Sequence, residues 1–440
     1  MDPVQLALVV MLFVTAFGAV LAGIPVAFAL AGSALLMAFG ASQFGMFDLS
    51  FLGAIPSRIY GVALFNDVLT AVPLFIMMGV ILERSRVAED LLDNMARVFG
   101  RLPAGLGISV TFVGVLLAAS TGIVGATVIA MGLLSLPTML KRGYDPALAS
   151  GSICAAGTLG QIIPPSIVLV FLSDQLSAAY MEAQREIGNF SPVPVSVGDL
   201  FAGALIPGIG LALLYMIYQF AIGVWRPHLC PPPSEDEIRS VDWRDVAFSL
   251  VAPVLLILSV LGSILSGAAT PTEAAGVGAL GALLLAARKL NEPDPGDSPW
   301  QDRVTAALGM VVSAGIVAAL ALPVVRSLGD LRMTLETVTR FNAAMFALAV
   351  ACTVVLAVAV AVAIATLARR GVLHEVLIGT MRITTLAFMI LIGATIFSLV
   401  FRGFGGDEIV MHAMDRIPGG VNGALIAVLV VVFVLGFFLD

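Results

Sequence analysis

Charge is what this 440-residue chain has least of: Asp, Glu, Lys and Arg supply 12% of it, against 60% for hydrophobic types. A soluble domain carries roughly twice that charge, about 25%, so a water-exposed globular fold is excluded. Cysteine is equally sparse. Cys154, Cys230 and Cys352 lie far apart and match no metal or redox spacing, which leaves them as small apolar fillers. His228, His374 and His412 have no partner at metal-ligand spacing. There is no basic excess either. A net charge of −7 gives no electrostatic footprint for nucleic acid. The start, Met1-Asp2-Pro3, lacks the basic segment of a cleaved signal peptide, so the first apolar run reads as retained.

Long apolar runs are what the chain has in quantity, and mean hydropathy is +1.06. They fall at residues 4–21, 24–39, 66–82, 104–140, 146–172, 200–224, 246–265, 271–287, 304–325, 343–367, 376–401 and 421–439. Several approach the ~20 residues that cross a ~30 Å hydrocarbon layer as a helix. The fold class is therefore all-α, a polytopic transmembrane helical protein embedded in a lipid bilayer.

Polar punctuation divides the chain. Residues 1–103 hold the first transmembrane helices and an amphipathic surface helix, with Leu91, Leu92, Met95, Val98 and Phe99 on one side. Residues 104–173 form the most unusual segment, and 174–198 read as a polar loop carrying Ser191-Pro192-Val193-Pro194. Central helices occupy 199–303, with proline-rich loops at 227–242 and 291–301. Further helices occupy 304–420, and 421–440 begins another apolar arm. Basic residues orient the chain. Arg84, Arg86, Arg97 and Arg101 precede the run 104–140, and Lys141 and Arg142 follow it, so both of its flanks are expected on the cytoplasmic side. Arg226, Arg239, Arg244, Arg288, Lys289, Arg303, Arg369 and Arg370 fall on that side too. Arg326, Arg332 and Arg340 run against the count.

A run that begins and ends on one side, broken near its middle by Ser120-Thr121-Gly122 with Thr127 close behind, implies a re-entrant hairpin. Such a tip must lie in protein or water, because unwound backbone cannot face lipid. The next run repeats the theme with Gly157-Thr158-Leu159-Gly160-Gln161 and Pro164-Pro165-Ser166. Proline removes a backbone donor and biases its predecessor away from the helix, and glycine lowers helix propensity. The opened helix frees carbonyl oxygens, and Thr158, Gln161 and Ser166 add side-chain oxygens suited to a hard cation such as Na⁺. Small residues and prolines also serve close helix packing and kinks. Two breaks in tandem favour an ion and substrate site of the kind secondary transporters build near mid-membrane.

The STG tip followed by LPTMLKRGYDPALASGSICAAGTLGQIIPPS (136–166) resembles the large membrane subunit of tripartite ATP-independent periplasmic (TRAP) transporters. GIPVAFAL (23–30), AVPLFIMMGVILERS (71–85), TPTEAAGVGAL (270–280) and GTMRITTLAFMILIGATIFS (379–398) agree. The resemblance implies an elevator-type fold with inverted repeats and two re-entrant hairpins. It also implies a Na⁺ symporter for small organic acids in the bacterial inner membrane, with a small membrane subunit and a periplasmic substrate-binding protein as partners. It places a second hairpin and broken helix in the second half. By internal symmetry FFLD, at 437–440, falls where Ser120-Thr121-Gly122 falls in the first, so a 440-residue chain is expected to lack half the site and not to transport alone. The loops at 174–199 and 291–303 and the stretch 326–340 look longer than in compact members.

Other readings are weaker on residues. A receptor-independent symporter of the same broad fold is the runner-up. An intramembrane aspartyl protease needs paired aspartates at membrane depth, but Tyr144-Asp145 follows Lys141-Arg142 near the surface and Asp407 sits in a Gly-rich loop. A serine protease lacks a mid-membrane His, and no channel filter motif is evident. Thr270-Pro271-Thr272-Glu273 reads as a helix start with a capping box, its alternative being a coupling carboxylate at Glu273.

Overall fold

The computed structural model describes residues 3–85, 87–122, 124–231, 243–292, 299–328 and 340–436. The proline run Pro231-Pro232-Pro233 beyond its first residue, Arg239, residues 293–298, Arg332 and FFLD lie outside the described residues. Among the described residues the regular structure is helical. Six helices among the described residues are long and apolar enough to cross a membrane: Pro3–Leu21, Val26–Gln43, Val197–Trp225, Asp302–Leu328, Arg340–Arg369 and Val372–Gly403. The chain is an all-α, multi-pass membrane protein.

It divides into two compact units. One comprises residues 1–66 and 385–440. Here α1 (Pro3–Leu21) and α2 (Val26–Gln43) pack through Leu12, Ala34 and Ala38 with Val400 and Phe404. Phe13 meets Phe397 and Phe401 edge-on at 5.3 and 5.9 Å, and Phe47 meets Phe404 at 5.2 Å. Short helical turns cover Leu49–Ala54, α3 (Ile55–Ile59) and Tyr60–Leu64, where the sequence suggests only punctuation.

The other unit, residues 67–384, holds the two tandem breaks. It contains α4 (Ala71–Arg84), α5 (Val87–Val98), α6 (Gly105–Thr121), α7 (Val124–Lys141), α8 (Pro146–Thr158), α9 (Ile167–Glu186) and α10 (Val197–Trp225). After these come α11 (Trp243–Leu265), α12 (Pro271–Leu290), α13 (Pro299–Leu328), α14 (Arg340–Arg369) and the first part of α15 (Val372–Gly403). α16 (Gly406–Asp415) and α17 (Gly420–Leu435) complete the chain. On α5, Leu91, Leu92 and Met95 are buried against Val110, Val113 and Tyr144, while Arg97 is exposed.

Three expectations are corrected. Residues 174–198 are not one polar loop: α9 continues to Glu186 before the chain turns at Gly188, φ +85°. The reason is propensity. Ala178, Ala179, Met181, Glu182, Ala183, Gln184, Arg185 and Glu186 are good helix formers that extend an existing helix despite their polarity. The Gly-rich segment holding Asp407 is likewise helical from Gly406, entered through Gly405 in the left-handed conformation. Residues 66–70 form a turn, and α4 begins only at Ala71.

The segments that charge assigned to the cytoplasmic side converge at one end of the second unit. Lys289 pairs with Asp90 and, at 2.7 Å, with Glu292. Arg84 reaches Glu375 at 3.2 Å, and Asp145 N–H donates to the Leu229 carbonyl at 2.9 Å. Asp67, Thr70, Thr272 and the N-terminus of α12 meet elsewhere, with the Thr272 hydroxyl donating to the Asp67 carbonyl at 2.7 Å. Arg326 lies within electrostatic reach of Glu273, which gives that basic residue an acidic neighbour at the end where the count alone left it anomalous.

Candidate functional site

The run 104–140 folds as two helical arms, α6 and α7, joined at Gly122. Each arm has 17 or 18 residues, about 26 Å at 1.5 Å per residue, so the arms are longer than the half-depth helices the run's length suggests. Four close approaches, taken in order along the chain, define the hairpin. Gly107 N–H lies 3.4 Å from the Tyr144 hydroxyl at the root. Higher up, a Cβ at Gly114 would lie 2.7 Å from Ala156 Cβ, and one at Gly157 would lie 2.3 Å from Val128 Cγ2. At the tip, a Cβ at Gly122 would lie 3.2 Å from Ile167 N. The order 107–144, 114–156, 128–157 and 122–167 puts α8 alongside both arms and returns the chain to the level it started from.

The tip therefore meets the second break. α8 gives way to a short 3-10 turn at Leu159–Gln161, and helical bonding lapses from Ile162 to Ser166, with Pro164–Pro165 in the cis form. The Ser166 hydroxyl donates to the Gln161 carbonyl at 2.8 Å and accepts from Leu169 N–H at 3.3 Å, so it closes the break and caps α9. Gly157, Gly160, Pro164, Pro165 and Ser166 are buried, Gln161 is half-buried, and Thr127 on α7 is buried. Thr158 is exposed, its hydroxyl donating to its own Ala155 carbonyl at 2.8 Å. Gly122 is buried with φ +62°. The side chains of Ser120 and Thr121 lie outside the described residues.

Tyr144 is 4% exposed. Lys141 and Arg142 do lie at the exposed end, yet the turn at Gly143 (φ +80°) directs the next ring into the α5–α6 core. Burial pushes its phenol up to about 12. Asp145 beside it is a helix cap, accepting from Ala147 N–H at 3.0 Å and Leu148 N–H at 3.1 Å.

Glu273 has a structural occupation. Its Oε2 accepts from Thr270 N–H at 2.8 Å and from the Thr270 hydroxyl at 3.0 Å, completing the capping box. Replacing Thr270 by Ala is expected to cost about 1 kcal/mol of stability, and Glu273→Gln, which keeps an acceptor, less. Thermal melts should register these losses, while the ion dependence of any transport stays at its wild-type value. A changed ion dependence in Glu273→Gln would restore the coupling role.

The family model described as "Tripartite ATP-independent periplasmic transporter, DctM component" matches residues 9–325. The C4-dicarboxylate TRAP transporter large permease protein DctM of Pseudomonas aeruginosa is 35% identical over 212 residues, 48% of this chain and 45% of that protein. Its namesake in Vibrio cholerae is 31% identical over 281 residues, 63% of this chain and 55% of that one. The sialic acid TRAP transporter large permease protein SiaM of Vibrio cholerae is 27% identical over 270 residues, 61% and 56% of the two chains. The chain spans about half the length of these curated relatives.

Proposed function

Since the chain belongs to the DctM component family of the tripartite ATP-independent periplasmic transporters, we propose that it is the large membrane subunit of a Na⁺-coupled importer of small organic acids in the bacterial inner membrane. The observation that carries this reading is the meeting of Gly122 with the N-terminus of α9. Two interruptions that look independent in sequence lie against each other inside one unit. Backbone released at a helix break supplies oxygen donors, which is what a hard cation takes. A substrate carboxylate suits the N–H groups at the start of α9. Ser120, Thr121, Thr127, Thr158, Gln161 and Ser166 are the candidate side chains. Gly122, Gly157, Gly160, Pro164 and Pro165 shape the backbone around them.

A small membrane subunit and a periplasmic substrate-binding protein are the partners the family implies. Relatives named for C4-dicarboxylates and for sialic acid support an acid as substrate, with C4-dicarboxylates the first to test. The experiment is uptake into vesicles bearing the assembled complex. Uptake should require Na⁺, and Ser120→Ala or Thr158→Ala should raise the Na⁺ needed by about 1–2 kcal/mol in equivalent free energy. Equal uptake on a proton gradient without Na⁺ would refute the cation assignment. Full uptake with no binding protein present would support the receptor-independent reading instead.

A further inference from the structure

We infer that Gln219, through a buried hydrogen bond to Thr111, is a positioning residue that sets the register of the first hairpin against the broken helix; this rests on the site proposed above. α10 is apolar along its length, and of its buried residues Val197, Phe201, Gly208, Ala212, Gln219 and Gly223, only Gln219 has a polar side chain. It is 3% exposed, and its Nε2 donates to the buried Thr111 hydroxyl on α6 at 2.6 Å. Its Oε1 is buried with no protein partner among the described residues. A Cβ at Gly107 would lie 2.7 Å from that Oε1, so the amide lies across the hairpin root where only glycine leaves room.

The same face of α10 holds both parts of the site. Near its C-terminus, a Cβ at Gly223 would lie 2.7 Å from Ala104 N, at the entry to α6. Near its middle, a Cβ at Gly208 would lie 2.9 Å from Ile163 Cγ1, and Ala212 shares a core with Leu159 and Ile163 in the break. One helix thus spans the hairpin root and the opened segment. Apolar packing between α6 and α10 is non-directional and tolerates sliding. The Gln219 amide does not. One turn along α6 from Thr111 stand Gly107, Ile108, Gly114 and Val115, none with a hydroxyl. A slip would therefore strand a buried amide, which is costly in apolar surroundings.

The reporter is a cysteine at Ile162, half-buried within the break and not one of the candidate side chains, in a chain whose three native cysteines are replaced by Ala. Its alkylation rate is read in the assembled complex, with Na⁺ or with choline. Thr111→Val keeps the side-chain shape and removes the acceptor, Thr111→Ser keeps it, and Gln219→Leu removes the amide. Thr111→Val and Gln219→Leu should each speed alkylation in choline by about three- to tenfold, the shift expected from one lost buried hydrogen bond. They should raise the Na⁺ concentration for half-protection by a similar factor, while Thr111→Ser follows the parent. Thr111→Val guards against a Gln219→Leu chain that does not fold. Parent rates and parent Na⁺ protection in Thr111→Val would overturn the inference. Absence of Na⁺ protection in the parent would count against the cation site, whereas the rates in choline would still decide on positioning.

Discussion

Gly122→Val is expected to abolish uptake, by tenfold at the least, while the protein still inserts and assembles. Gly122 has φ +62°, in the left-handed region, where a side chain costs roughly 1–2 kcal/mol. The added carbon also has nowhere to go. It would lie 3.1 Å from Ile167 Cγ1 and 3.2 Å from Ile167 N. The side-chain atom can yield, but the backbone nitrogen moves only if the start of α9 moves. Valine adds two further carbons and a restricted χ1. The tip then retreats from the break, and any ligand shared between the two loses one set of donors. A loss of about 1.4 kcal/mol in binding is already tenfold. Gly122→Ala should fall between valine and the parent. Initial uptake rates, normalised to complex in the membrane, are the measurement. A valine chain with parental uptake would place the transport site elsewhere.

The second large effect is at the α7–α8 contact, and it has a built-in rescue. A Cβ at Gly157 would lie 2.3 Å from Val128 Cγ2 and 3.3 Å from Val128 Cα. Gly157→Ala should destabilise by about 1–3 kcal/mol through overpacking and lower uptake severalfold by pushing α8 off the hairpin. Val128→Ala deletes the offending methyl. The double variant Gly157→Ala, Val128→Ala should therefore regain most of the lost melting temperature and uptake. Losses that simply add in the double variant would mean that Gly157 matters for a reason other than this contact.

The two helix breaks were legible where chemistry forbids regular helix. Pro164-Pro165 cannot sustain backbone bonding, and Ser120-Thr121-Gly122 interrupts a run whose flanks carry the same sign of charge. Both breaks therefore stand out with no structure in view. The Thr270–Glu273 box was legible for the same reason, being complete within four residues. Helix extent was less so. Residues 174–186 are polar enough to pass for a loop, yet propensity continues α9 through them, because hydropathy reports a helix's environment rather than its existence. Register was the least legible. The burial of Tyr144 depends on a turn at Gly143. The four contacts that pair the hairpin with α8 depend on which small residues face each other, and nothing in local sequence states that. Gln219 carried a signal of its own, an amide inside an otherwise apolar helix, which is an expensive placement in a membrane.

Everything proposed for this chain depends on the tip and the break forming one cation site. The direct measurement is the alkylation rate of the Ile162→Cys reporter, in the same chain with its native cysteines replaced by Ala, across Na⁺, K⁺ and choline salts of equal ionic strength. The account predicts that Na⁺ alone slows the reaction, saturably, and that Thr158→Ala shifts the protection to higher Na⁺. An equal rate in all three salts would contradict it.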